Sequence, residues 1–293
     1  MEPNFIIAGG VATGTSFLSH SIKDHPQIYL PPVMRPECGF FYKSWDHAKG
    51  EDYYLSRWFK SVKNEIAIGE RSSLYLHGTF NHVARRIHDI YPGMKLIFCL
   101  RNPTERAYAN YRFTALTGYE TLSFKKALAA EDKRAETATG WKAEILPNLY
   151  RKRGCYYEQL ALFYERFPKG QILCLKSSDL AEKTEETLKR VFKFLGVDTG
   201  WRPTAQENFT SPNVKNARLQ EIFKKLFGAK LDLITEGYRA NKTFSLLGKI
   251  VSWNLTDGKQ PMDAGVRQYL NDFYAPHNKE LAKFLNWDVS DWK

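Results

Sequence analysis

The chain has 293 residues, of which 43% are hydrophobic and 14% aromatic, enough to bury a sizeable core. Its 43 Lys and Arg against 32 Asp and Glu leave a net charge of +11, which favours an anionic ligand; the basic residues are dispersed without an RNA-binding or zinc signature, so no nucleic acid partner is expected. No segment approaches the roughly 20 apolar residues of a membrane span, so no membrane partner is expected either.

Met1-Glu2-Pro3 leads straight into the apolar run FIIAG at 5–9 without a secretory signal pattern, and a cytoplasmic location is expected. Further strands are expected at 66–70 (IAIGE), 95–101 (KLIFCLR) and 171–176 (QILCLK). Helical patterns cover 14–24, 51–62, 80–90, 103–117, 154–167, 184–195, 217–227 and 266–285. Each strand run is apolar throughout, as it is when helices cover both faces of a sheet. Alternating strand and helix predicts one α/β domain over 1–293, with a central parallel sheet flanked by helices and ligands held beyond the carboxyl ends of the strands. Residues 197–216, with two prolines and several Asn and Thr, read as a loop. Cys38, Cys99, Cys155 and Cys174 form no C-x-x-C pair and read as reduced thiols, Cys99 and Cys174 inside strands.

Between the first strand and the first helix lies Gly9-Gly10-Val11-Ala12-Thr13-Gly14-Thr15-Ser16. The spacing is that of a phosphate-binding loop, but Thr15 stands where a triphosphatase carries lysine, which disfavours ATP hydrolysis. The amides from Thr13 to Phe17 are the candidate anion cradle at a helix N-terminus, with hydroxyl donors added by Thr13, Thr15 and Ser16. A glycine-rich turn without a ligand is the alternative. Arg101 ends the 95–101 strand, and Pro103 opens the following helix, with Arg106 and Asn110 on one face. Arg101 suits a second anion contact; an ion pair of Arg101 or Arg106 with Glu105 or Glu70 is the competing reading.

The stretches GGVATGTSFLSHSIKDHPQI, RPECGFF, GERSSLYL and ARRIHDIYPGMKLIFCLRNPTERAYANY, in this order, resemble the sulfotransferases that use 3′-phosphoadenosine 5′-phosphosulfate (PAPS). The likeness is to the heparan-sulfate type and its bacterial small-molecule relatives, and it continues through RGCYYEQLALFYERFPKGQILCLKSSDL, LKRVFKFLGVD and LAKFLNWDVSDW. The resemblance implies a P-loop-like sulfotransferase fold, PAPS as donor, 3′-phosphoadenosine 5′-phosphate (PAP) as product, and no metal. It assigns Val11 through Ser16 to the 5′-phosphosulfate and Arg101 to the 3′-phosphate. A serine that helps the family at this second site is replaced by Ala109, with Asn110 beside it as a substitute donor. The loop lysine of the family falls on Ala12.

Two residues then become the catalytic candidates by the same resemblance. Arg71, in Glu70-Arg71-Ser72-Ser73-Leu74-Tyr75, replaces a family lysine and supplies the missing charge. Glu37, in Glu37-Cys38-Gly39-Phe40-Phe41, is the general base, and Gly39, in place of a family histidine, is expected to open room for the acceptor. Lys215 and Arg218 are candidates for a basic loop that closes over the nucleotide. His20, His25, His47, His77, His82 and His88 show no ligand-like spacing, and His47 or His77 is a candidate for the acceptor pocket. Aromatic residues in 38–60 and 112–150 are candidate pocket walls. The expected substrate is a small molecule, sulfated on oxygen or nitrogen in secondary-metabolite biosynthesis. A non-catalytic PAP-binding relative and a P-loop kinase remain as rivals.

Overall fold

The apolar runs form strands, and they pair side by side. β1 (Phe5–Gly9), β2 (Ile28–Tyr29), β3 (Ala67–Arg71), β4 (Lys95–Leu100) and β5 (Ile172–Lys176) make one sheet in the order β2-β3-β1-β4-β5. Every pairing in it is parallel. The computed structural model describes the chain apart from residues 33–35, 78–81, 204–211, 240–245, 259 and 293, and apart from the side chains of 233 and 236–239. The start of the expected 80–90 helix, Arg35 and much of the 197–216 loop thus lie outside the described residues.

Successive strand side chains point to opposite faces, and the sheet therefore separates two cores. Ile6, Ala8, Leu96, Phe98 and Leu100 enter one of them, with Tyr54, Val83, Ile87, Leu160 and Phe163 from covering helices. Phe5, Ile7, Ile97, Cys99 and Leu175 enter the other, with Leu18, Ile22, Leu188, Val191 and Phe192. Each such side chain contributes about 1.5–3 kcal/mol when fully buried. This two-faced burial explains why the strands carry no polar alternation. Two smaller clusters lie outside the sheet. One joins the helices Pro103–Leu116, Phe124–Ala129 and Ala264–Leu285 through Ala107, Leu128, Leu270 and Tyr274. The other packs Phe223, Leu231 and Val251 beside an antiparallel pair, β6 (Asn213–Val214) and β7 (Leu255–Thr256).

The helix bounds depart from expectation mainly at their ends: 184–195 and 217–227 are as read, and 103–117 ends at Leu116. Pro103 opens that helix, where its missing N–H costs nothing. Asn102 caps it, its Oδ1 accepting from Thr104 N at 2.9 Å and Glu105 N at 3.3 Å. β2 is only two residues long, too short for a hydrophobic run to reveal.

β1 lies in the middle, with β3 on one side and β4 on the other. The chain therefore reverses its direction of sheet building at β1, and the crevice beyond its carboxyl end is where such sheets hold ligands.

Candidate active site

The loop after β1 turns into the helix Thr15–Ile22 at Gly14, which adopts φ 96°. That left-handed conformation suits glycine and strains residues with a Cβ. Thr13 Oγ1 donates to Gly10 O at 2.7 Å, and the Thr13 carbonyl accepts from Ser177 Oγ, just beyond β5. Thr15 is buried, Val11, Ala12 and Ser16 are half-buried, and Gly14 is exposed. The loop is thus tied down from below while its outer side faces solvent at a helix N-terminus, the site of unsatisfied amide donors.

Register explains the first catalytic candidate. Ile7 of β1 pairs with Arg71, the last residue of β3, so Arg71 emerges beside the loop. Its side chain is 3% exposed; Nη1 donates to Ser16 Oγ at 3.0 Å and to Glu37 Oε1 at 2.6 Å. Glu37 Oε2 also accepts from Ser73 N and from Ser73 Oγ, both at 2.8 Å. The structure thus brings loop, arginine and candidate base into one contact chain. Lys43, which the sequence did not single out, fixes the backbone of this segment by donating to the carbonyls of Glu37 at 3.1 Å and Cys38 at 2.8 Å.

Behind the pair lies Glu70, fully buried. Its carboxyl accepts from Tyr75 Oη at 2.7 Å and Ser72 Oγ at 2.7 Å, and Ser72 Oγ in turn accepts from Gly39 N at 2.7 Å. Burial pushes the Glu70 carboxyl up to about 7 against the pull of those two hydroxyls, and the Glu37 charge pushes the same way. Leu30, Pro31, Glu37, Cys38, Trp58, Glu70 and Arg71 line a small cleft here.

Arg101 follows β4 on the other side of the loop. Tyr156 Oη holds its main chain, accepting from Arg101 N at 3.4 Å and donating to Arg101 O at 2.9 Å. The Arg101 guanidinium is half-buried and makes no hydrogen bond or ion pair among the described residues. Desolvation lowers its pKa, partly offset by the Glu105 charge. The expected competing ion pair is absent among the described residues: Glu105 pairs with Arg267, and Glu70 with hydroxyls.

Other expectations fall elsewhere. Asn110 is 1% exposed, and its Oδ1 accepts from Arg153 Nη1 at 2.9 Å and Arg106 Nη1 at 3.4 Å. It is committed to a buried cluster in which Arg106 reaches the Tyr150 carbonyl and Arg153 reaches His77. Burial, with the neighbouring Arg106 charge, brings the Arg153 guanidinium down to about 9, and burial holds His77 neutral. Gly39 opens no space for an acceptor. Its φ is 63°, and a Cβ there would lie 2.6 Å from Tyr42 Cε1, so the ring of Tyr42 already fills the volume. Phe40, Phe41 and Tyr54 belong to the core, with Phe40 and Tyr54 stacked at 4.5 Å, while Trp58 does reach the cleft. Lys215 Nζ donates to the Trp253 carbonyl at 2.6 Å, beside β6, and Arg218 is exposed on the helix Ala217–Phe227. Neither is brought to the loop by any hydrogen bond among the described residues. Of the cysteines, all free, Cys155 is half-buried and the other three buried.

Among the described residues no helix is long and apolar enough to cross a membrane. Comparison with known proteins gives the family. The sulfotransferase domain family matches residues 2–284. The chain is 26% identical over 292 residues to the bifunctional heparan sulfate N-deacetylase/N-sulfotransferase 3 of Mus musculus, and 27% identical over 292 residues to N-deacetylase/N-sulfotransferase 2 of Homo sapiens. In both cases 97% of this chain is covered, but only 30% and 29% of the relative, so the chain spans about three tenths of these proteins. A crystal structure of a sulfotransferase from Alicyclobacillus acidocaldarius superposes with a TM-score of 0.73 at 25% identity, covering 100% of this chain and 99% of the other. Mouse sulfotransferase SULT7A1 complexed with PAP shares the fold, with a TM-score of 0.52 at 11% identity over 98% of this chain and 88% of its own. With a family match over nearly its whole length and a phosphate-type loop flanked by Arg71 and Arg101, the chain belongs to the sulfotransferase domain family.

Proposed function

We propose that the chain moves a sulfuryl group from PAPS directly to a hydroxyl or nitrogen of a small-molecule acceptor in secondary-metabolite biosynthesis, leaving PAP. The observation that carries this reading is the pair of arginines at the carboxyl ends of the two strands that flank β1 and its loop, Arg71 as the last residue of β3 and Arg101 immediately after β4. Loop amides and hydroxyls suit a 5′-phosphosulfate, and a half-buried guanidinium without a carboxylate partner among the described residues suits a 3′-phosphate. A nucleoside triphosphate suits the loop less well, because Thr15 replaces the lysine that grips outer phosphates.

In this reading Glu37 takes the acceptor's proton as the acceptor oxygen or nitrogen bonds to sulfur. The sulfur–oxygen bond to the 5′-phosphate breaks, and its electron pair stays on the phosphate. A carboxylate has about four lone-pair positions. Arg71, Ser73 N and Ser73 Oγ contact it among the described residues, Ser73 Oγ at 2.8 Å from Oε2 and 3.1 Å from Oε1, and the acceptor proton would take a remaining position. Arg71 stands between Ser16 and Glu37, so its charge offsets the negative charge that develops on the bridging oxygen. One such donor is worth about 2.7–4 kcal/mol. Arg71 acts as the charge beside the reacting group while Glu37 handles the proton. The narrow cleft between Leu30, Pro31 and Trp58 supports a small acceptor group rather than a bulky one.

The experiment is incubation with sulfur-35-labelled PAPS and two acceptor sets: small hydroxyl and amine compounds, and an N-deacetylated heparan-type polysaccharide. Label on the small compounds is expected. Label on the polysaccharide alone would move the acceptor assignment to the substrate class in the relatives' names, and label on neither would favour a non-catalytic PAP-binding protein.

A further inference from the structure

Away from the loop, two helices cross and bring together donor atoms from distant parts of the sequence. The helix Tyr156–Tyr164 begins immediately after Cys155, and Ala264–Leu285 runs beside it. A sulfur of Cys155, a carboxylate oxygen of Glu158 and an imidazole nitrogen of His277 all lie within 4.8 Å of one another. Glu158 Oε1 is 2.5 Å from His277 Nδ1. Cys155 and His277 are half-buried and Glu158 is exposed, so the cluster is open to solvent on one side. Nothing in the proposed sulfuryl transfer uses these side chains.

The backbone builds the cluster from both sides. Cys155 is the residue capping its helix and Glu158 stands three positions on, which puts the two over the same turn. His277 follows Pro276, which sits inside its helix and has no N–H to donate, so the helix is locally eased at this point.

We propose that Cys155, Glu158 and His277 bind a divalent transition-metal ion, with zinc the best match to the donor set and a water completing a tetrahedron. Sulfur, nitrogen and oxygen together select a borderline-soft ion and reject calcium and magnesium, which take oxygen donors. Zinc bonds of about 2.3 Å to sulfur and about 2.0–2.2 Å to nitrogen and oxygen require donors about 3–4 Å apart. The donors already lie within 4.8 Å of one another, so binding would need the thiol to close in and the 2.5 Å Glu158–His277 contact to open. A thiolate and a carboxylate carry two negative charges and neutralise the dication. Binding displaces the thiol proton to solvent.

The site has a structural consequence. Cys155 adjoins Tyr156, whose hydroxyl holds the main chain of Arg101. A metal here clamps the C-terminal helix to the element that positions one of the two strand-end arginines.

Cobalt(II) tests this through its spectrum, independently of any activity. Titrated into the metal-free full-length chain, it is expected to give a thiolate-to-cobalt charge-transfer band and tetrahedral visible bands that saturate at one equivalent and vanish on adding zinc. Cys155→Ser is expected to abolish the charge-transfer band. His277→Gln, at a half-exposed position that leaves the fold intact, is expected to weaken cobalt binding at least tenfold. Zinc is expected to raise the melting temperature of the wild type and not of either variant. No charge-transfer band at stoichiometric cobalt, or a band of equal strength in Cys155→Ser, overturns the proposal and leaves a plain Glu158–His277 hydrogen bond.

Discussion

Two arginines end the strands on either side of β1, and they are in opposite states. Arg71 is engaged: buried, bonded to Ser16 and paired with Glu37 through Nη1. Arg101 is half-buried with no bond to its guanidinium among the described residues. A buried charge without a partner is costly, and in the proposed reading the two sides have different tasks. The β3 side is assembled before any ligand arrives, as catalysis by fixed charges requires. The β4 side is assembled around a position that an anion would complete. In the same reading the cation at the loop comes from the neighbouring strand, in place of the lysine that the resemblance puts at Ala12.

Substitutions can break this contrast. Glu37→Gln should have the largest effect, lowering sulfuryl transfer by about 10²–10⁴ with PAP affinity nearly unchanged, since it removes the proton acceptor and keeps the shape. Comparable loss of PAP binding would mean that Glu37 belongs to the nucleotide site. Arg71→Ala should lower turnover by about 10²–10³ with a modest effect on PAP affinity; a variant close to wild-type activity in steady-state assays removes Arg71 from the mechanism.

Glu70 probes the same side through stability. Its folded-state pKa, about 7, lies above the ordinary 4.5, so the folded state holds its proton more tightly than the unfolded state. The resulting stability is complete below about 4.5 and is lost as pH rises through about 7, on the order of 3 kcal/mol in full. Glu70→Gln should be insensitive over that window, so the gap in melting temperature between wild type and variant should change across it. A constant gap would mean that Glu70 ionises normally. Arg101→Ala, on the other side, should weaken PAP binding by about 10–100-fold, the worth of a charge-assisted hydrogen bond. It should leave adenosine 5′-phosphosulfate, which lacks the 3′-phosphate, unaffected in direct binding measurements.

Much of this site was legible in the sequence. The loop and Arg101 were, because a strand end and glycine spacing fix their positions locally, whereas Arg71 was reached through family likeness. Glu37 was legible only through family likeness. Ser73 and Lys43 escaped notice because their value lies in touching Glu37, which depends on how β3 meets residues 37–43. Asn110 shows a local inference that holds and a global one that does not follow from it. It does share a face with Arg106, but that face is turned into a buried cluster. Gly39 was read as an absence, yet Tyr42 occupies the space. The cysteine cluster was illegible because Glu158 and His277 stand 119 residues apart and only helix crossing unites them. In the fold, the long buried strands were evident, whereas β2 and short helices such as Phe124–Ala129 depend on tertiary packing for their stability.

The most direct test is calorimetric titration of the purified chain with PAP, with ATP and magnesium as the control. Selective PAP binding at micromolar concentration is the expected result. No binding of PAP, or a preference for ATP with magnesium, would contradict the account, because the loop and Arg101 would then not form a site for a 3′-phosphorylated nucleotide.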